Sequence, residues 1–182
     1  MSKVLIVKNK IKKFNKKINV SGDKSLSIRF VLIASQAVGK SKAYNLLMSE
    51  DVLAAIDSVK KLGIKVLINK NNCEVYGCGI NGFNYKKNLT LNAKNSGTLG
   101  RLLLGLLIKS PQKIKLIGDK SLSKRDFSRI TTPLKKFGAK FYHKKINKLP
   151  LSILGSEFVE GIKYLENKGS AQCKSSVMLA AL

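Results

Sequence analysis

The sequence predicts an α/β protein built from a repeated β-α-β-α-β-β unit, present twice in full and begun a third time. Three observations carry this. First, three short segments share one plan: Gly22-Asp23-Lys24-Ser25-Leu26-Ser27-Ile28-Arg29, Asn95-Ser96-Gly97-Thr98-Leu99-Gly100-Arg101 and Gly169-Ser170-Ala171-Gln172-Cys173-Lys174-Ser175. In each, a Ser or Gly precedes a cation by four positions: Ser25 and Arg29, Gly97 and Arg101, Ser170 and Lys174. Second, the landmarks recur at nearly constant spacing, with Arg29 and Arg101 72 positions apart and Gly63 and Gly138 75 apart. Third, apolar periodicity alternates between helical and extended patterns in the same order in both stretches.

Element by element, Lys3–Val7 and Lys17–Val20 read as short strands. Ser27–Ala37 reads as a helix with Phe30, Val31, Ile33 and Ala34 on its apolar face, and Lys42–Leu47 returns as a strand. Ser49 is a good N-cap for a helix Asp51–Leu62, which carries Val52, Ala55, Ile56, Val59 and Leu62 and stops at Gly63. Strands Lys65–Ile68 and Glu74–Tyr76 follow, joined by the turn Asn69-Lys70-Asn71-Asn72. The order then restarts: strand Leu89–Leu91, helix Gly97–Ile108, strand Lys113–Ile117, helix Phe127–Phe137 ending at Gly138, strand Lys140–Tyr142. Pro133 predicts a kink or late restart in the last helix. A third copy opens near Gly161–Tyr164 and enters a helix at Ser170. Its apolar end, Val177–Leu182, has no cap, so the chain is expected to be the N-terminal part of a longer protein.

Composition narrows the partners. The net charge is +25 and the hydrophobic fraction 44%, so the chain can fold and its field favours anions. The lysines are spread along the whole sequence, as on a solvated surface. Only four of the 35 basic residues are Arg: Arg29, Arg101, Arg125 and Arg129. Arg presents a planar donor fork suited to carboxylate and phosphate, so its sparing use marks positions where Lys does not serve. Small residues at helix starts leave backbone N–H groups open to anions. Three such starts point to a ligand with several negative groups.

Other chemistries find less support. Cys73 and Cys78 have no second pair, which argues against zinc, and three thiols fit a reducing cytoplasm. No metal and no cofactor are expected. No signal peptide and no membrane-length apolar run are visible. His143, the single histidine, falls in an expected surface turn. Gly39-Lys40-Ser41 follows a helix, and Ala34 stands where a P-loop needs its first glycine.

The motif residues resemble the 5-enolpyruvylshikimate-3-phosphate synthase family (3-phosphoshikimate 1-carboxyvinyltransferases). Val20–Arg29 is similar to its first signature, Asn95–Arg101 to its second, Asp119–Arg125 with Leu134–Gly138 to its phosphate-binding arginine segment, and Ser170–Ser175 to its third. The resemblance runs from about Lys10 to Leu182 and rests on four ordered motifs. It implies transfer of the enolpyruvyl group of phosphoenolpyruvate to the 5-hydroxyl of shikimate 3-phosphate, with release of phosphate. It implies the enolpyruvyl transferase fold, an inside-out α/β barrel of two domains. Residues 1–20 would then open the other domain, and 21–182 would form the substrate-binding domain.

Carried over by position, the resemblance gives Lys24, Ser25, Arg29, Ser170 and Gln172 to shikimate 3-phosphate. It gives Lys24, Gly97, Arg125 and Gln172 to phosphoenolpyruvate, with Lys24 also the catalytic residue. Gly97 has no side chain to block close approach of an anion to its N–H. Arg101 either braces the sheet or meets ligand, and stands outside the set. Ala171 and Ser96 stand where some members carry Ser and Ala. The family's acid/base carboxylates lie beyond position 182, so these residues alone are expected to be inactive. The expected protein is a cytoplasmic monomer acting on small molecules, not on nucleic acid or membrane. Two alternatives remain: a UDP-N-acetylglucosamine enolpyruvyl transferase and a basic nucleic-acid-binding module. The first usually has Ala-Lys-Asn where Asp23-Lys24-Ser25 stands here, and the second should interleave aromatic residues with its basic stripe.

Overall fold

The computed structural model describes residues 4–8, 10, 12–13, 15–79 and 82–182. The first unit comprises α1 (Lys24–Gln36), β1 (Val38–Ala43), α2 (Glu50–Lys61), β2 (Lys65–Asn69) and β3 (Asn72–Cys78). The second comprises β4 (Thr90–Asn92), α3 (Gly97–Leu106), β5 (Ile114–Ile117), α4 (Ser128–Lys136), β6 (Lys140–His143) and β7 (Leu151–Leu154). A short 3-10 turn, Leu122–Lys124, precedes α4, and α5 (Ala171–Ala180) follows the second unit.

The two sheets repeat one topology. The first has order β1-β3-β2, with both pairings antiparallel. The second has order β4-β5-β7-β6, in which β5, β7 and β6 repeat the arrangement of β1, β3 and β2. In each unit the last strand therefore inserts between the two before it. β4 adds a parallel edge to β5, pairing Leu91 with Leu116. Among the described residues, no strand occupies the corresponding edge beside β1. Val4–Val7 and Lys17–Val20, expected as strands, are not strands here, and Lys3 lies outside the described residues. Their apolar side chains are exposed, Leu5 to 89% and Val20 to 71%, so none of the described residues selects an extended pairing for them.

Glycine-ended helices fix the turns within each unit. Gly63 and Gly138 follow α2 and α4 with φ of +93° and +100°. In both places the glycine N–H and the next N–H reach back to helix carbonyls: Gly63 to Lys60 and Ile64 to Val59, Gly138 to Lys135 and Ala139 to Leu134. This is the Schellman pattern, which requires the left-handed conformation that glycine adopts without penalty.

α3 is the centre of the molecule. Leu99, Leu102, Leu103, Leu104 and Leu107 are fully buried, as expected of a helix apolar on every side. It packs most closely on α5, and also on α1, α4 and α2. Gly105 permits the approach of α5, because a Cβ there would stand 2.1 Å from the Ser176 carbonyl oxygen.

Several expectations are corrected. α1 starts at Lys24 rather than Ser27, because Asp23 caps it, and Ile33 is 53% exposed while Ile28 and Leu32 fill the core. β1 precedes the expected Lys42–Leu47, whose later residues form a loop with Asn45 at φ +55°. Ser49 occupies the N-cap position of α2, but its hydroxyl makes no cap bond. α4 continues through Pro133 without restarting. β7 was not anticipated, and Gly161–Tyr164 is not a strand. His143 ends strand β6 instead of lying in a turn, and partial burial lowers its pKa.

Candidate active site

The three repeated segments are three helix N-termini, each capped in the same way. Asp23 Oδ1 accepts from Leu26 N at 2.7 Å, Ser96 Oγ from Leu99 N at 3.3 Å and Ser170 Oγ from Cys173 N at 3.3 Å. Capping satisfies one of the open N–H groups of each first turn and leaves others for a ligand. The four-residue spacing to a cation also has a local cause. One turn later, Arg29 Nη1 donates to Ser25 O at 3.3 Å, and Arg101 Nη1 donates to Gly97 O at 3.1 Å. Each guanidinium is folded back over the start of its own helix. Lys174 is exposed.

Tertiary contacts bring these starts together. Arg29 Nη2 reaches Ser175 Oγ of α5 at 3.5 Å, linking the first and third motifs. Arg101 Nη1 donates to Gln172 Oε1 at 2.9 Å, and Gln172 Nε2 donates to Thr98 Oγ1 at 2.9 Å, linking the second and third. The Ser176 hydroxyl donates to the Arg101 carbonyl at 2.8 Å. Arg125 arrives from the segment before α4. Its Nη1 would stand 2.9 Å from a Cβ at Gly97, and Arg101 Nη1 2.6 Å from the same point. Gly97 is thus the gap over which two guanidinium groups converge. Its φ is not positive, so the missing side chain, not backbone freedom, is what the position uses.

The electrostatics favour an added anion. Among the described residues, no carboxylate lies within ion-pair distance of Arg29, Arg101 or Arg125. Burial lowers the pKa of Arg101, and the charges of Arg125 and Arg129 lower it further. Arg129 is neutralised by Glu166, which also accepts from the Tyr164 hydroxyl. These contacts, the Tyr164 hydrogen bond foremost, pull the Glu166 carboxyl down to about 2. They push the Tyr164 phenol up, with burial the largest cause.

Of the expected site residues, Lys24 stands at the first position of α1 and pairs with Asp51 at 3.1 Å, its side chain 53% exposed. Ser25 is half-buried beside it, and Arg125 is exposed. Gly97, Gln172, Ser170 and Arg29 join through the contacts above. The sequence reading missed the partners: Asp51, Thr98, Ser175 and Glu166. With only ten acidic residues, each acid close to an expected cation is informative, and Asp51 opens the helix expected at Asp51–Leu62. An open apolar cleft of about 650 Å³, lined by Phe137, Phe158, Ile162 and Val177 among others, lies at the other end of α5 and contains none of these residues. Among the described residues, no cluster of His, Cys, Asp and Glu offers a metal site, and no helix is long and apolar enough to cross a membrane.

Known proteins resemble this chain in sequence and fold. The 3-phosphoshikimate 1-carboxyvinyltransferase of Ruthia magnifica is 42% identical over 166 residues, covering 91% of this chain and 38% of the relative. That of Zymomonas mobilis is 37% identical over 178 residues, covering 97% of this chain and 39% of the relative. The solved EPSP synthase of Acinetobacter baumannii superposes with a TM-score of 0.84 at 34% identity, over 91% of this chain and 37% of that one. The chain therefore spans under two-fifths of the length of the relatives it matches. The family model described as EPSP synthase (3-phosphoshikimate 1-carboxyvinyltransferase) matches residues 8–182. With that match, the repeated unit and the four ordered motifs, the chain belongs to the EPSP synthase family.

Proposed function

We propose that this chain supplies the shikimate 3-phosphate side of an active site that transfers the enolpyruvyl group of phosphoenolpyruvate to the 5-hydroxyl of shikimate 3-phosphate, releasing phosphate. One observation carries the reading: three capped helix starts meet, with Arg29, Arg101 and Arg125 directed over them and no carboxylate among the described residues to neutralise these three. Two substrates that each bear a phosphate and a carboxylate need such an excess of donors, because unit charges a few ångströms apart repel strongly away from bulk water.

In this reading Lys24, Ser25, Arg29, Ser170 and Gln172 hold shikimate 3-phosphate. Lys24, Gly97, Arg125 and Gln172 hold phosphoenolpyruvate. Lys24 lies between the two anions and steadies the charge that moves as phosphate leaves. Asp51, at the start of α2 and 3.1 Å from the Lys24 ammonium, holds that charge until a ligand shares it. Residues 1–20 belong to a second domain, which accounts for the exposed side chains of Val4–Val7 and for the strandless edge beside β1. The protein works in the cytoplasm as a monomer, on small molecules alone.

A chimera tests this directly. Residues 1–182 are joined to the remainder of the Ruthia magnifica relative and given both substrates. Sustained phosphate release is expected from the chimera and none from residues 1–182 alone. A folded chimera that releases no phosphate contradicts the proposal.

A further inference from the structure

We infer that Arg101 is a positioning residue: it fixes the carboxamide of Gln172 so that this side chain offers a donor, not an acceptor, to the ligand. The inference rests on the reading of Gln172 as a ligand contact and adds the group that sets its orientation.

The argument begins with the chemistry of a carboxamide. Its oxygen accepts and its nitrogen donates, the two ends have nearly the same shape, and only neighbours decide which faces where. A guanidinium has donors only. The end of Gln172 that meets Arg101 Nη1 at 2.9 Å must therefore be Oε1. That leaves Nε2 on the other side, where one N–H goes to Thr98 Oγ1 at 2.9 Å. The second N–H has no partner among the described residues. A donor is what a phosphate or carboxylate oxygen requires, so the flipped carboxamide would present its oxygen to an anion and repel it.

Arg101 is itself anchored by more than Gln172. Its Nη1 also donates to Gly97 O at 3.1 Å, its guanidinium lies 5.4 Å from the centre of the Phe127 ring, and its carbonyl accepts from Ser176. Arg125, by contrast, is exposed, and among the described residues it has no such anchor. The two arginines over Gly97 thus differ: Arg125 is available to an anion, while Arg101 gives its Nη1 to protein acceptors and adds its charge to the site from there.

The test is a double-mutant cycle on the 182-residue chain, read by titration with shikimate 3-phosphate. Gln172→Ala and Arg101→Lys each weaken binding by about 10-fold, the loss expected for one hydrogen bond to a charged group. The double variant is no weaker than either single one. Losses that multiply to about 100-fold overturn the inference, because Arg101 then meets the ligand on its own account. Thr98→Val leaves every charge in place and keeps the test open should Arg101→Lys unfold. It weakens binding at least threefold in the parent and not at all in the Gln172→Ala background; an equal loss in both overturns the inference. The side-chain NH2 resonances of Gln172 give an arm independent of ligand. They move to the position of a solvated glutamine in Arg101→Lys, and unchanged resonances overturn the inference. If the parent chain or Gln172→Ala shows no role for Gln172 in binding, the site reading under Proposed function falls, and the resonances alone decide whether Arg101 orients Gln172.

Discussion

Replacing Gly97 by Ala separates the site from the fold. The backbone accepts the change, since Gly97 has no positive φ, and Ala at the first helical position is if anything favourable. The new methyl carbon stands 2.6 Å from Arg101 Nη1 and 2.9 Å from Arg125 Nη1. Both are tips of flexible side chains, so each retreats by roughly 0.5–0.8 Å to reach van der Waals separation. That displacement disturbs the Nη1 that holds Gln172 at 2.9 Å. It also moves the Arg125 fork off an anion placed for the parent. Losing one charge-assisted contact costs about 1.5–3 kcal/mol, or roughly 10–150-fold in affinity. The control lies in the same helix. At Gly105 the added carbon meets a backbone oxygen at 2.1 Å, and neither α3 nor α5 can yield locally. Overpacking of this kind costs about 1–3 kcal/mol or more, which lowers Tm by roughly 3–10 °C in a chain of this size. Calorimetric melting and titration of both variants with phosphoenolpyruvate, at saturating shikimate 3-phosphate, decide the matter. Gly97→Ala should hold its Tm within about 2 °C and lose affinity. Loss of Tm without loss of affinity would refute the reasoning.

Three further outcomes follow from the same geometry. Lys24→Met breaks a half-exposed ion pair worth at most about 1 kcal/mol, so Tm moves by under about 4 °C, while shikimate 3-phosphate affinity falls at least about 10-fold. Ser96→Ala removes the α3 cap and costs about 1 kcal/mol, seen as a Tm lowered by roughly 2–4 °C; an unchanged Tm would mean the 3.3 Å contact carries no stability. The Glu166 carboxyl has its folded pKa depressed from an ordinary value of 4.5 to about 2, so it contributes stability above pH 4.5 that is lost as pH falls through 2. The Tm difference between the parent and Glu166→Gln should therefore shrink across that window, and a constant difference would contradict the pairing with Tyr164 and Arg129.

The parts of this fold legible in the sequence are those decided locally. α2 and α4 were readable because a 3.6-residue apolar stripe ends at a glycine, and both glycines do terminate helices at positive φ. α3 was readable because a leucine-rich run after Gly97 specifies a buried helix, and the structure adds that Ser96 caps it. Elements settled by long-range pairing were less legible. β1 carries Val38, Gly39, Lys40 and Ser41, all partly or fully exposed, and becomes a strand only by pairing along the whole of β3. β7 hides behind Pro150, although Leu151 and Ile153 alternate inward with Ser152 and Leu154. A proline before the first residue of a strand is compatible with the ladder, which the sequence reading did not allow for. Within the candidate site, the repeated segments mark the three helix starts, while the contacts between them do not show in the sequence. Lys24, Gly97 and Gln172 sit in recognisable segments, whereas Asp51, Thr98 and Glu166 acquire meaning only through folding.

The measurement that meets the central claim most directly is a ¹H–¹⁵N titration of the 182-residue chain with shikimate 3-phosphate, run beside inorganic phosphate. If three helix starts form one substrate surface, shifts concentrate at Lys24, Ser25, Arg29, Ser170 and Gln172, with Asp51 following as its ion pair to Lys24 is shared. Inorganic phosphate then reproduces only part of the pattern, and more weakly. Shifts spread over exposed lysines such as Lys135, Lys144 and Lys148, identical for the two ligands, would contradict the account, as would none at millimolar ligand.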